Sequence, residues 1–355
     1  MQDQKKFTGN LYIFHAFDVG YDIDLKGLQQ KNIVEQRPLV LSRFFKNYHV
    51  PIAIDLPRPN TSKKCIGARI HAFGVISLVY KIPFNESLAT LREKINDIDK
   101  YYQEQSVDDA GLVFGTIKQF ISKPKFFHIR SSYPLIQVNP EPNIDPKSLK
   151  EEYGGTIAST IRFETHALAE YQKDEILESN IGYYKGDLVL IDTEAAFAYD
   201  KEYEDILDLF EFANIESLEL QYFDQLLDKK LNEVYERKIK HSPIYSYIPF
   251  IGPKGHGEIM ELENLRVDVS VISERLESSI KFVGEAYYAE VYDLLAEKFD
   301  FAKWKMSINS KLEIIKEIRT LYQEQININK DDLLSILIII LIFIELVVAI
   351  LSYLK

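Results

Sequence analysis

The chain of 355 residues has one cysteine, one tryptophan and three methionines, and it lacks any excess of basic residues. Because Cys65 is the single cysteine, no disulfide can form within one chain, which suits a reducing compartment. The 54 Asp and Glu residues outnumber the 42 Lys and Arg residues and give a formal net charge of −12. A general nucleic-acid binder has a basic face, so we expect no nucleic-acid partner.

Standard catalytic sequence motifs are also missing. The chain contains no G-x-S-x-G, no P-loop and no H-E-x-x-H sequence. The sequence therefore indicates no catalytic residue, no cofactor and no metal ion.

One long hydrophobic run lies at the C-terminal end, where residues 333–354 read LLSILIIILIFIELVVAILSYL. A helix of this length is about 33 Å long, enough to cross a hydrocarbon core of about 30 Å. We predict one transmembrane helix over residues 333–354, and hence a single-pass membrane protein with the membrane as its first partner.

The only charged residue in this run is Glu345. An ionised side chain near the middle of a bilayer costs at least ~3 kcal/mol, so Glu345 should be protonated or paired. We expect it at an intramembrane contact between helices, with a second copy of the chain as the partner, which gives a homo-oligomer. A protonated acid facing lipid is the alternative.

The N-terminal residues do not form a signal-peptide pattern, because the apolar stretch 11–17 is short and contains His15. With a single C-terminal span, we expect the soluble body on the cytoplasmic side of a bacterial inner membrane. A mitochondrial inner membrane is the alternative, although no Arg-rich presequence supports it.

Strand patterns and helix patterns alternate over residues 1–200, which predicts an α+β domain of mixed strands and helices. Gly74 is expected to form a bulge or a hairpin turn, and Asn85 to cap a helix. The predicted strands or hairpins are residues 11–17, 49–57, 65–82, 126–140 and 186–200, and the predicted helices include residues 24–36 and 157–180.

Long amphipathic helices follow. Apolar residues recur every three or four positions over residues 203–237, 262–294 and 301–327. We predict a long helical bundle or coiled-coil hairpin over residues 201–330, followed by the membrane helix. Acidic residues at the start of the first helix, including Asp208 and Glu211, suit the positive end of its dipole.

Three features of the sequence are candidate binding sites. Arg69 and His71 alternate along one strand, as do His128 and Arg130, and the four could form an anion pocket if the strands were neighbours. A polar sheet face is the simpler interpretation. A metal site at Glu164, His166 and Glu170 is less favoured than a solvated helix face, and the glycine-rich residues 252–257 fit a turn better than a phosphate loop.

The C-terminal half resembles the required for meiotic nuclear division family, also called domain of unknown function 155. The resemblance is carried by the helix pair LRVDVSVISERLESSIKFVGEAYYAEVYDLLAEKF and WKMSINSKLEIIKEIRTLYQEQIN, then by IIILIFIELVVAIL with its pair Ile344-Glu345, and upstream by IHAFGVISLVY. The tryptophan-rich stretch usual in that family is weak here, where Trp304 is the single tryptophan. The resemblance implies a distant or bacterial-type member, strand-rich at the N-terminus and lacking established chemistry.

Together these patterns predict a membrane-anchored, non-enzymatic scaffold or tether. It would self-assemble and present its soluble domain to a protein partner that the sequence does not identify. The alternative is a membrane-bound enzyme or ligand sensor that uses the anion pocket of the N-terminal domain.

Overall fold

A computed structural model describes residues 5–39, 50–57, 64–126, 130–239, 256–279 and 286–353. Eight strands form one sheet: β1 Phe7–Asp18, β2 Ile52–Ile54, β3 Cys65–His71, β4 Val75–Glu86, β5 Arg130–Val138, β6 Asn180–Ile181, β7 Leu188–Ile191 and β8 Ala196–Tyr199. Their spatial order is β2-β3-β4-β1-β5-β8-β7-β6. All neighbours are antiparallel except β5 and β8, which are parallel.

The helices of the described residues are α1 Leu25–Gln30, α2 Leu88–Ile117, α3 Pro146–Ile161, α4 Glu170–Glu178, α5 Glu204–Ile239, α6 His256–Ser279, α7 Ala286–Lys298 and α8 Phe301–Tyr353, with a short 3₁₀ turn at Lys118–Phe120. The mixed sheet with its helices confirms the predicted α+β class. A coiled-coil hairpin is not confirmed.

The chain divides into two compact units. Unit 1 comprises Met1–Tyr222 and Ile272–Lys305, and unit 2 comprises Phe223–Val271 and Met306–Lys355. The predicted division at residues 200 and 330 stays a prediction.

Strand β1 is the centre of unit 1 and is buried on both faces. Phe7 and Ile13 belong to the core that also contains Leu91 of α2 and Ile157 of α3, so we call this side of the sheet the α2 face. On the other side, the α5 face, the Phe14 ring stacks on Phe210 of α5 at 6.5 Å between centroids. Burial on both faces explains why the sequence of β1 is almost wholly apolar.

The predicted turn at Gly74 is confirmed, and it joins β3 to β4 as a hairpin. Gly74 has φ +96°, and a Cβ atom there would lie 1.8 Å from the carbonyl oxygen of Gly20. Only glycine tolerates both the backbone conformation and the close approach.

Two predicted helix boundaries are wrong. Asn85 lies inside β4, and Ser87 caps α2 by accepting a hydrogen bond from the Thr90 amide at 3.1 Å. The helix predicted over 157–180 is two helices, because α3 already begins at Pro146 and residues 162–169 separate it from α4. The single helix predicted over 262–294 stays a prediction, because residues 280–285, between α6 and α7, lie outside the described residues.

Ion pairs join three long helices within unit 2. Lys230 of α5 contacts Glu261 of α6 at 2.8 Å, and Arg319 of α8 contacts Glu263 of α6 at 3.2 Å. Lys311 of α8 lies 2.6 Å from Asp224 of α5. This unit is therefore a helical bundle of the kind that the long amphipathic repeats predict.

A buried hydrogen bond joins the sheet to α2. The Tyr80 hydroxyl donates to Asp109 at 2.5 Å, and both residues are fully buried. We expect Tyr80→Phe to lower the free energy of unfolding by about 2 kcal/mol, because Asp109 Oδ2 loses this donor without gaining water. Urea denaturation measures this loss. Tyr101→Phe on α2 serves as the control, because Tyr101 is exposed. Equal effects of the two substitutions would contradict it.

Candidate functional site

Unit 1 contains an open cavity of about 530 Å³ on the α2 face of the sheet. Its walls come from the middle of α2, from β5, from the turn after α3, from the start of α4 and from the β7–β8 turn. The lining residues are Asn96, Asp99, Gln103, Ser132, Pro134, Arg162, Phe163, Glu164, Leu168, Gln172 and Glu194. A volume of this size matches typical small-molecule sites, which span about 300–1,000 Å³.

Phe163 forms one wall from a backbone conformation that favours glycine. Helix α3 ends in a Schellman motif, in which the Phe163 amide donates to Thr160 O at 3.1 Å and the Glu164 amide donates to Ser159 O at 2.9 Å. Phe163 has φ +58°, where a side chain costs about 1 kcal/mol. Asn96 fixes this wall by donating to Phe163 O at 3.0 Å. The motif therefore directs an aromatic residue to the cavity at the expense of local strain.

Three polar atoms in the cavity wall are buried without a hydrogen-bond partner among the described residues. They are Asp99 Oδ1, Ser132 Oγ and Arg162 Nε, of which the last is in ion-pair contact with Asp192. The other Asp99 oxygen accepts a hydrogen bond from Gln103 Nε2 at 2.6 Å. Burial raises the pKa of Asp99, while the Gln103 hydrogen bond and Arg130 act in the opposite direction. Buried polar atoms usually have a partner, so Asp99 Oδ1 and Ser132 Oγ can each form a hydrogen bond with a group that enters the cavity.

The arginine in the cavity wall is already paired. Arg162 Nη2 donates to Asp192 Oδ1 at 3.0 Å, and Arg162 Nε lies against the other oxygen of the same carboxylate. Asp192 is buried, with 1% of its surface exposed. Because the guanidinium charge is neutralised by this bidentate contact, the carboxylates of Asp99, Glu164 and Glu194 leave the cavity acidic.

The residues of the predicted anion pocket do not come together. Strands β4 and β1 lie between β3 and β5. Through the strand register, Arg69 opposite Ser77 lies on the α5 face, and Arg130 opposite Phe17 lies on the α2 face. The condition that the two strands be neighbours is not met, and His128 lies outside the described residues.

Arg69 and His71 belong instead to a buried polar network. Arg69 contacts Asp208 Oδ1 at 2.8 Å and Glu211 Oε2 at 2.9 Å, both on α5. The Ser77 hydroxyl donates to Glu211, and His71 Nε2 lies 3.5 Å from the same hydroxyl. Burial lowers the pKa of His71 to about 3, with a smaller contribution from Arg69. The arginine is thus used to neutralise two buried carboxylates.

Arg130 is exposed, and its Nη1 lies 3.4 Å from Gln103 O. It lies close enough to Asp99 to lower the pKa of that carboxyl, although burial of Asp99 has the larger, opposite effect. Arg130 is therefore a neighbour of the cavity, and among the described residues of the predicted set it is the one that lies near it.

The three residues of the candidate metal site do not lie on one helix, although the sequence pattern predicts that they do. His166 lies in the segment before α4, Glu170 is the first residue of that helix, and Glu164, His166 and Glu170 are all exposed. In the described parts of the chain, no group of three His, Cys, Asp or Glu side chains is placed to hold a metal ion. Residues 252–255 of the glycine-rich segment lie outside the described ranges.

A second pair of buried carboxyls lies on the α5 face. Asp18 is 4% exposed and accepts a hydrogen bond from the Gly20 amide at 3.0 Å, and Glu219 of α5 is 2% exposed. Burial raises the pKa of Asp18 to about 7 and raises that of Glu219 well above its ordinary range, with Asp18 adding to the latter. This pair makes the stability of unit 1 sensitive to pH.

Helix α8 contains Glu345 within Leu334–Tyr353, a 20-residue segment of mean hydropathy 3.3. It is the one helix of the described residues that is long and apolar enough to cross a membrane.

No sequence pattern indicated that Asp99, Ser132 and Phe163 would line one cavity. Asp99 and Gln103 lie four residues apart on a helix, where polar pairs usually face solvent. The single available signal was the absence of glycine where α3 ends, since a helix that closes in a left-handed residue usually places glycine there.

Comparison with known proteins places the cavity in a shared domain. Residues 8–205, more than half of the chain, match a family model described as "Uncharacterized protein MJ0711, N-terminal domain". The uncharacterized protein MJ0711 of Methanocaldococcus jannaschii is 25% identical over 207 residues, which are 58% of this chain and 62% of that protein. The match therefore spans less than two thirds of the relative.

No solved structure matches the chain. These comparisons give no support to the required for meiotic nuclear division family. All the residues that line the cavity fall between 96 and 194, inside the matched range. The chain belongs to the family of the MJ0711 N-terminal domain.

Proposed function

We propose that the chain is a membrane-anchored, non-enzymatic scaffold or tether that holds its α+β domain at a bilayer. The observation that carries the proposal is the segment Leu334–Tyr353, in which 20 residues have a mean hydropathy of 3.3 and none is buried inside the structure. A soluble protein rarely exposes so large an apolar surface, whereas a helix of about 30 Å matches a hydrocarbon core.

The anchor continues directly from the bundle of unit 2. Helix α8 is a single helix of 53 residues, Phe301–Tyr353. Its earlier part carries Lys311, which contacts Asp224 at 2.6 Å and Asp228 at 2.7 Å on α5. Helix packing in the bundle and packing in the membrane would then be continuous, and the long helices would supply further surface for self-association.

Glu345 supports an assembly of several copies. A carboxyl group near the middle of a bilayer favours a protein partner over lipid, and the apolar segment offers no basic side chain to pair with it. A second copy brings an identical acid, and two protonated carboxyls can hydrogen-bond to each other. We propose a homo-oligomer in which these helices contact one another.

The Glu345→Leu substitution tests the assembly. We expect the full-length variant to lose the oligomer and to elute at the mass of one chain in mild detergent, because it lacks the interhelical hydrogen bond. Glu345→Gln should keep the oligomer, since an amide can form a similar bond. Light scattering coupled to size exclusion measures the mass.

Ile344→Leu, next to the acid, is the matched control and should keep the oligomer. The same mass for wild type and Glu345→Leu would refute the contact. Alkaline carbonate extraction tests the anchor separately, because an integral protein stays in the membrane pellet. Release of the wild-type chain into the supernatant would refute the membrane proposal itself.

For the compartment, we propose a bacterial inner membrane with the soluble body in the cytoplasm. The single apolar segment and the single, unpaired cysteine support this orientation. Neither this proposal nor the scaffold depends on the resemblance to the required for meiotic nuclear division family.

A further inference from the structure

We infer that the cavity of unit 1 is a binding site for a small organic cation, one that carries an ammonium or guanidinium group on a short carbon chain. This inference is independent of the membrane proposal, because all the residues that form the site lie in unit 1.

The first argument is the charge of the walls. Three carboxylates, those of Asp99, Glu164 and Glu194, line the cavity, and Arg162, the one cation among its described lining residues, is held by the buried carboxylate of Asp192. Arg130, the other basic group near Asp99, is exposed and lies 3.4 Å from Gln103 O. A phosphate or carboxylate ligand would face a surplus of negative charge, whereas a cation would neutralise it.

The second argument is the pattern of hydrogen-bonding groups. Asp99 Oδ1 and Ser132 Oγ are buried and have no partner in the described part of the chain. A carboxylate oxygen accepts hydrogen bonds and cannot donate them when ionised, so a ligand must supply the donor. Ammonium and guanidinium groups have three and five N–H donors respectively, and both form charge-assisted bonds to carboxylates.

The third argument is the apolar part of the walls. Phe163, Pro134 and Leu168 line the same cavity. Their surfaces suit the methylene chain of an alkylamine, and an aromatic ring attracts a cation placed over its face. The Schellman motif after α3 holds Phe163 in a strained backbone conformation. A glycine at this position would avoid the strain but would not provide an aromatic ring to the cavity.

Agmatine is a suitable probe, because it carries a guanidinium and an ammonium group on a four-carbon chain. Calorimetric titration of the full chain in detergent should show saturable binding of agmatine. Glutarate and inorganic phosphate, as anionic probes, should not bind or compete. Asp99→Asn should weaken agmatine binding about tenfold or more, since it removes the charge and keeps the shape.

Asp108→Asn is the matched control, because Asp108 lies on the same helix but is exposed and outside the cavity. Phe163→Gly separates binding from folding. Glycine relieves the left-handed strain, which offsets packing that the Phe163 ring makes against the core, so the melting temperature should change little while agmatine binding is lost. Each variant is melted without ligand, so that an unfolded protein is not mistaken for one that fails to bind.

Two results would overturn the inference. One is the absence of agmatine binding to the wild type at about 1 mM, a concentration that would detect even a weak site. The other is equal binding by wild type and a folded Asp99→Asn variant. Binding of glutarate or phosphate that Asp99→Asn strengthens would assign the cavity to anions and would also refute it.

Discussion

Replacing Arg69 by methionine should lower the free energy of unfolding of unit 1 by about 3 kcal/mol, because it leaves two buried carboxylates without their counter-ion. The guanidinium bridges Asp208 and Glu211, which are 8% and 3% exposed, with contacts of 2.8 and 2.9 Å. Methionine fills a similar volume, so the loss reports the charge rather than a cavity. Trp304, the single tryptophan, lies in unit 1, and its fluorescence during urea denaturation provides the measurement.

Arg37→Met is the control, because Arg37 pairs with Asp55 at the surface, where the side chains are 48% and 39% exposed. An exposed pair contributes at most about 1 kcal/mol. Adding Glu211→Gln to Arg69→Met should restore part of the loss, since a buried amide costs less than a buried carboxylate. If Arg69→Met destabilised no more than Arg37→Met, the proposed burial of the network would be wrong.

Several other features of the fold could be predicted from the sequence alone. Local patterns identify the apolar strand β1, the hairpin turn at Gly74 and the repeats of α5. Each of these depends on residues that are close in sequence, so periodicity and turn chemistry are enough to predict them.

Long-range pairing explains what the sequence could not provide. Arg69 and Asp208 are 139 residues apart, and their contact depends on helix α5 packing against β3 on one face of the sheet. The acids at the start of α5 could therefore be attributed to the helix dipole but not to a buried ion pair. The parallel pairing of Leu135 with Ala196 is another contact of this kind, since no local pattern encodes it.

The cavity was missed for a related reason. Asp99 and Ser132 are ordinary polar residues in their own helix and strand, and they come together only because α2, β5 and the segment after α3 line one cavity. The sequence patterns point to basic and metal-binding side chains. Of these, Arg130 is a neighbour of the cavity. Phe163 illustrates a more general signal: a local rule broken without an evident gain often marks a functional position.

Replacing Glu219 by glutamine should stabilise unit 1 by about 1–2 kcal/mol near pH 7.5. Asp18 and Glu219 both have raised pKa values, because both are buried and because Asp18 raises the pKa of its neighbour. In the unfolded chain, both carboxyls titrate near pH 4. Between about pH 4 and pH 7 the folded state therefore binds more protons than the unfolded state, and stability falls as pH rises.

The glutamine variant cannot ionise at this position, so it avoids the penalty at high pH. Below about pH 3 the carboxyls are protonated in both states, and the two proteins should be equally stable. Urea denaturation at several pH values measures the difference between variant and wild type. The variant is compared with wild type at each pH because His15 and His71 also make stability depend on pH. Burial lowers their pKa values to about 3, so their contribution makes stability rise with pH in the acidic range.

Glu202→Gln provides the control, since Glu202 is exposed and its charge is solvated. Its effect should not change with pH by more than a few tenths of a kcal/mol. Lys125 lowers the pKa of Asp18, although less than burial raises it, so Lys125→Met should enlarge the benefit of Glu219→Gln near pH 7.5. A Glu219→Gln variant that was less stable than wild type at pH 7.5 would mean that this carboxyl is ionised and paired in the folded protein, and one that kept its full advantage at pH 3 would mean that the advantage does not come from ionisation of Glu219.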